Sequence, residues 1–147
     1  MSRNRLAMVL AMAIGLAWIG PAEGKDPQAM VDRISEARAK RGLAPVRHHR
    51  SLSRSARSYA RHLLRTGSFE HAGRIRASHR FRCVGELLAW HPGRKPRRGR
   101  TVRRWLRSWW HQRVLLDRGF RFAGAGRVVG RFRGRVCTIW VVHLGAR

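Results

Sequence analysis

Apolar positions along the chain change their spacing more than once, and each change marks a different element. Asp26-Pro27 has the form of a helix start, with Asp as N-cap and Pro at the first helical position. Met30, Ile34 and Ala37 follow as a stripe at helical spacing, and Gly42 offers a stop. Leu43-Ala44-Pro45-Val46 reads as a short extended connector. Leu52, Ala56, Tyr59, Ala60, Leu63 and Leu64 mark a second amphipathic helix, capped by Ser51 and ended by Gly67, with Arg54, Arg57 and Arg61 on its solvated face. The nine residues 92–100, PGRKPRRGR, are too polar and too broken to pack and predict an exposed loop. A third helix, capped by Thr101, carries Val102, Trp105, Leu106 and Trp109 on one face. The tail then becomes extended: Phe120 to Val129 is interrupted by glycine, Arg131 to Arg135 reads as a basic turn, and Val136 to Leu144 is nearly continuous apolar sequence. A strand apolar on both faces is covered on both sides. The order predicted is helices first and strands last, with a sheet held between helical layers.

The N-terminus stands apart from this pattern. Arg3 and Arg5 precede an uncharged run from Leu6 to Gly20, and Pro21-Ala22-Glu23-Gly24 supplies small residues where a signal peptidase reads. Residues 1–24 are therefore expected to be a secretory signal, with an uncleaved anchor as the alternative and residues 25–147 as a single domain. No second hydrophobic segment follows, so no transmembrane span is expected after cleavage. An oxidising destination favours pairing Cys83 with Cys137, which would close a loop worth about 4 kcal/mol. Two buried, unpaired thiols are the other reading.

Charge narrows the partners. The chain of 147 residues has 33 Lys+Arg against 7 Asp+Glu, a formal net charge of +26, and its only lysines are Lys25, Lys40 and Lys95. Arginine suits bidentate contacts with phosphate and carboxylate, so the excess fits an anionic partner; a coding bias toward arginine at exposed positions gives the same composition. With 44% hydrophobic residues and six Trp, the chain can build a core, which excludes a disordered basic tail. Nucleic-acid binding is expected only as a nonspecific property, because the aromatics fall at core spacing rather than as a stacking platform.

Few polar residues stand where chemistry could occur. Glu86 lies in the apolar stretch Cys83-Val84-Gly85-Glu86-Leu87-Leu88-Ala89-Trp90, where a carboxylate must be hydrogen-bonded, paired or metal-bound. His71 follows the second helix, while Ser108 and His111 are three residues apart and share a helical face. Two His and one Glu are an allowed zinc set, with His71 and His111 as the metal ligands, and Ser108, His111 and Glu86 are the residue types of a hydrolytic triad. A satisfied polar network in a cleft explains the same residues. Ser108 lies in no GxSxG elbow and no HExxH is present. His48, His49, His62, His79 and His91 sit in basic polar stretches, and His143 interrupts the last strand.

Taken in order, GLAPV, the second helix, SFEHAG, VGELLAW, TVRRWLRSWWHQRVLL, FAGAG and CTIWVVHLG resemble the CAP superfamily of cysteine-rich secretory, antigen 5 and pathogenesis-related proteins, and in particular its compact bacterial branch. The likeness runs from about Val31 to Gly145. It implies an α+β fold, a three-layer α/β/α sandwich with a small, mostly antiparallel sheet between helices. It also implies that His71, Glu86 and His111 match cleft residues of the family, with Ser108 where fuller members carry a second acid. Leu87 stands where the family usually has Asn, and Trp109 and Trp110 replace small residues.

The resulting expectation is a secreted, monomeric, non-enzymatic binding domain, extracellular, periplasmic or attached to the cell wall. It would hold a lipid or an anionic envelope component through the His/Glu cleft and the basic surface. The alternative is a Ser/His or metal-assisted hydrolase using the same cleft, with zinc or another divalent ion as its cofactor.

Overall fold

The computed structural model describes residues 25–77 and 79–147; the expected secretory segment lies outside the described residues. In chain order the elements are α1 (Lys25–Ala39), β1 (Arg47–His48), α2 (Arg50–Thr66), β2 (Cys83–Pro92), α3 (Arg98–Arg107), α4 (Trp109–Leu115), β3 (Phe122–Phe132) and β4 (Arg135–Ala146). The four strands form one sheet in the order β1-β3-β4-β2, with β1 parallel to β3 and the other two pairings antiparallel. β4 lies inside the sheet and is buried through nearly its whole length, as its continuous apolar sequence requires.

Alternation along β4 divides the core in two. Cys137, Ile139 and Val141 meet Ala56, Ala60 and Leu63 of α2, whereas Trp140, Val142 and Leu144 meet α1, α3 and the α4 end on the opposite face. The α2 layer sits unusually close. A Cβ at Gly124 would come 2.1 Å from the backbone nitrogen of Ser53, and one at Gly126 would come 2.3 Å from that of Arg57. The FAGAG segment therefore lets the helix backbone rest directly on β3.

Arg38 joins the other layer to the sheet. It is fully buried, and its guanidinium donates to the carbonyls of Ala44 at 2.9 Å, Leu115 at 2.8 Å, Asp117 at 2.9 Å and Phe120 at 3.3 Å. Burial, then Arg121, lower its pKa, while Asp117 opposes them. One side chain thus ties α1 to the α4–β3 connection.

Local details differ from the sequence reading in several places. The strands are not all last: Cys83–Pro92 is a ten-residue edge strand in mid-chain, hydrogen-bonded to β4. Asp26 lies inside the first turn of α1, and its carboxylate bonds Arg98 and, at 2.6 Å, Arg127. The α2 cap is His49, whose Nδ1 accepts from the Ser51 N–H at 3.3 Å, while Gly67 ends the helix in the left-handed region as expected. The third helix begins at Arg98 rather than Thr101, whose hydroxyl donates back to the Arg97 carbonyl at 3.2 Å. The 92–100 segment is correspondingly shorter as a loop and is tied down, since Trp140 Nε1 donates to Pro96 O at 2.8 Å and Thr138 Oγ1 to Gly93 O at 2.8 Å.

The expected Cys83–Cys137 bridge is absent. Both thiols are free, Cys83 exposed and Cys137 buried. Register explains this: Cys83 pairs with Ala146 at one end of the β2–β4 ladder and Cys137 with Pro92 at the other. Nine residues of strand put them about 30 Å apart, far beyond the ~7 Å that a disulfide spans between Cα atoms.

Candidate functional site

The four cleft candidates come together. His71, Glu86, Ser108 and His111 line one cleft of about 460 Å³, with Trp110 and Val114 completing its wall. Glu86 reaches it from the edge strand β2. His71 comes from the segment after α2, which is fixed where Tyr59 of α2 donates its hydroxyl to Glu70 O at 2.9 Å. Ser108 and His111 come from the junction between α3 and α4. Close seating of α4 on β2 depends on Gly85, where a Cβ would come 2.8 Å from Phe120 and 3.0 Å from Val114.

The helix expected to run continuously through Trp109 breaks at Ser108, whose backbone is extended at φ −97°, ψ 118°. Ser108 and His111 still meet, with Oγ and Nδ1 2.7 Å apart. They do so across the start of α4 rather than along one helical face.

Glu86 is the most heavily bonded group of the site. Its Oε1 accepts from His71 Nδ1 at 2.8 Å and from the Ala72 N–H at 2.9 Å, and its Oε2 accepts from His143 Nε2 at 2.9 Å. Burial alone would raise its pKa. The hydrogen bonds from His143, Ala72 and His71 together outweigh burial and hold the carboxyl below its ordinary value, so it is ionised at neutral pH. His111 shifts downward, chiefly through burial and then through His71 and Arg104. Its ring is therefore neutral at pH 7.

His143 was not among the cleft candidates, and it is the carboxylate's buried partner. It is 1% exposed, and the β2–β4 register sets it directly opposite Glu86. The sequence shows a lone acid in one apolar run and a lone imidazole in another, each requiring a partner, but not that they partner one another. His143 also forms the base of a second, larger cavity of about 800 Å³ between α2 and residues 72–77, bordered by Arg54, Tyr59, Arg74 and Arg76. Among the described residues its buried Nδ1 finds no hydrogen-bond partner.

A zinc set of His71, His111 and Glu86 does not fit this geometry. Both Glu86 oxygens are engaged by other donors, and among the described residues no three His, Cys, Asp or Glu side chains converge as a metal cluster. Two imidazoles alone fall short of the three protein ligands of a catalytic zinc site. A Ser-His-acid triad is likewise incomplete, because Glu86 bonds His71 and His143 and not His111.

A small sheet between helical layers defines the architecture, and the comparisons with known proteins agree with that fold. Residues 31–144 match the CAP, or Cysteine-rich secretory protein, family. The chain belongs to that family. Among solved structures, an outer surface protein of Borrelia burgdorferi is similar at 23% identity, with a TM-score of 0.66 over 84% of this chain and 94% of that one. An extracellular protein containing an SCP domain from Bacillus anthracis is similar at 18% identity and a TM-score of 0.61, over 85% of this chain and 41% of that one. Venom allergen-like protein 4 of Schistosoma mansoni is similar at 11% identity and a TM-score of 0.64, over 84% of this chain and 90% of that one. These likenesses concern the fold. No curated protein matches the chain.

Proposed function

We propose that this chain is a secreted, strongly basic CAP-domain binding protein that holds an anionic envelope component or lipid, and that its cleft recognises ligand rather than turning it over. The observation that carries this reading is the state of Glu86. Both Glu86 oxygens accept hydrogen bonds from His71, Ala72 and His143, which suits a carboxylate that holds the site together more than one that trades protons with a substrate. The carboxylate instead fixes His71 and the Ala72 backbone on one side and His143 on the other. His71 remains 62% exposed in its side chain, and among the described residues the hydrogen bonds of His71 and His111 run through Nδ1. The cleft thus sets two imidazoles beside the apolar side chains of Trp110 and Val114. The charge of +26 supplies long-range attraction to phospholipid headgroups or anionic wall polymers. Extracellular and outer-surface names among proteins of the same fold support an exported location, as does the N-terminal sequence.

Retention on anionic vesicles or isolated cell walls, measured across a salt series, tests the surface component. It is expected to fall steeply with salt, and retention indifferent to salt counts against it.

The 2.7 Å approach of Ser108 to His111 favours one other reading, a Ser/His hydrolase. Turnover of ester or peptide substrates that disappears in Ser108→Ala would establish it. Metal analysis of the purified protein beside a His71→Ala/His111→Ala variant separates both readings from a metal-dependent one.

A further inference from the structure

Among the described residues only two large hydrophobic side chains are strongly exposed, and they are neighbours: Trp109 at 55% and Trp110 at 72%. Their rings meet edge to face with centroids 4.4 Å apart, which makes one aromatic surface rather than two separate ones. The remaining Trp of the described fold are accounted for. Trp105 and Trp140 are buried with their indole N–H groups on Leu88 O and Pro96 O, and Trp90 packs against Phe132. Trp109 and Trp110 have no comparable role in the core.

Their surroundings are cationic. Arg103, Arg104 and Arg107 are exposed on the preceding helix, and Arg113 lies over the Trp109 ring at 4.7 Å. No acid occurs between Arg98 and Leu116. Paired indoles flanked in the chain by exposed arginines, one of them lying over a ring, carry the two attractions of a lipid–water interface: amphipathic rings for the headgroup depth and cations for anionic phosphates. An apolar protein surface would match the indoles and leave the arginines unpaired. Trp110 also lines the His/Glu cleft, so whatever covers the pair faces the cleft mouth.

We propose that Trp109 and Trp110 form a membrane-docking wedge. They insert at headgroup depth into an anionic bilayer while Arg103, Arg104, Arg107 and Arg113 hold lipid phosphates, and the cleft opens onto the bilayer surface. The proposal deepens the binding reading above, since it names the partner and the face that meets it.

The test is sedimentation of the full-length protein with vesicles of phosphatidylcholine alone and of phosphatidylcholine with phosphatidylglycerol. Tryptophan emission and quenching by lipids brominated along the acyl chain are followed in the same samples. Wild type is compared with Trp109→Ser/Trp110→Ser and with Trp109→Tyr/Trp110→Tyr, each checked for native circular dichroism. All three share the N-terminal segment and the other four Trp, so differences between them belong to the pair. The serine variant is expected to bind anionic vesicles at least about tenfold more weakly, and to lose most of the lipid-induced blue shift and bromine quenching. The tyrosine variant is expected to recover most of the binding.

Equal binding by all three proteins, with no blue shift in wild type, overturns the wedge and leaves salt-dependent surface attraction intact. Retention of none of them on anionic vesicles overturns the wedge and removes lipid as the ligand of the binding reading. If the serine substitutions abolish self-association and leave vesicle binding unchanged, the pair is an interface with a second copy and the wedge is also overturned.

Discussion

Replacing Glu86 by Gln tests the site at its most constrained group. The carboxylate accepts three hydrogen bonds with its side chain 5% exposed, whereas an amide offers one acceptor and one donor end. If the amide oxygen takes the Oε1 position, it keeps His71 and Ala72, and its NH₂ then meets the His143 Nε2–H, donor against donor. Moving that proton to His143 Nδ1 relieves the clash only by leaving a buried N–H unsatisfied, because Nδ1 has no partner. The flipped amide is worse, since the Ala72 N–H belongs to the backbone and cannot reorient. Losing one buried charge-assisted bond and stranding its donor is expected to cost about 2–4 kcal/mol. Urea unfolding followed by circular dichroism measures this as a difference in unfolding free energy.

The pH dependence provides a second, independent check. The Glu86 pKa is lowered by folding, so its contribution is fully present above the unfolded-state value, about 4.3, and is lost as pH falls through the folded value. The gap between wild type and Glu86→Gln should therefore be complete at pH 7 and close only below the usual carboxylate range, where wild type itself becomes neutral. A gap under about 0.5 kcal/mol at pH 7, which is the size of an ordinary surface change, would falsify the assignment of Glu86 as the bonded centre. A gap that stays constant down to pH 3 would contradict it equally.

Other consequences follow from the same contacts. Arg38→Met leaves four carbonyls without their donor and should cost about 3–5 kcal/mol by denaturant titration, with Arg38→Lys recovering only part because an ammonium cannot reproduce the planar fork. Gly126→Ala forces a Cβ to within 2.3 Å of the α2 backbone and should abolish cooperative thermal unfolding; a stable, native-like variant would show that the helix can lift off the strand. The His111 ring should titrate below the ordinary imidazole value of 6.5 in an NMR pH series, and His71→Ala or Arg104→Gln should move the midpoint upward by removing a like charge. Because Cys83 and Cys137 are free and far apart along the ladder, reductant should leave the melting temperature unchanged; a drop would show that the bridge exists in solution.

Elements that depend on neighbours in sequence are legible in the sequence itself. The apolar stripe of α2 with its Gly67 stop, the continuous hydrophobic run that became β4, and the order of blocks that marks the family are local or periodic features. Glu86 and His71 could be singled out because an acid in an apolar run and a histidine after a helix are visible one residue at a time. Where local preference and packing competed, packing prevailed. Cys83-Val84-Gly85-Glu86-Leu87-Leu88-Ala89-Trp90 became an edge strand because β4 was there to pair with it, and His49 rather than Ser51 capped α2.

What the tertiary structure alone decided was partnership. Strand register set His143 opposite Glu86 and separated the two cysteines by the length of a ladder, and register is a relation between segments more than forty residues apart. Burial of Arg38 against four carbonyls likewise required α1, the α4 end and the connection before β3 to meet at one point, which no periodicity within α1 encodes. The exposure of Trp109 and Trp110 had the same origin. Helical spacing assigned Trp109 to a core face, and the break at Ser108 turned α4 so that both indoles point outward. Composition and periodicity determine which residues must leave water; only the packed chain determines which of them find a partner inside and which remain on the surface to meet one outside.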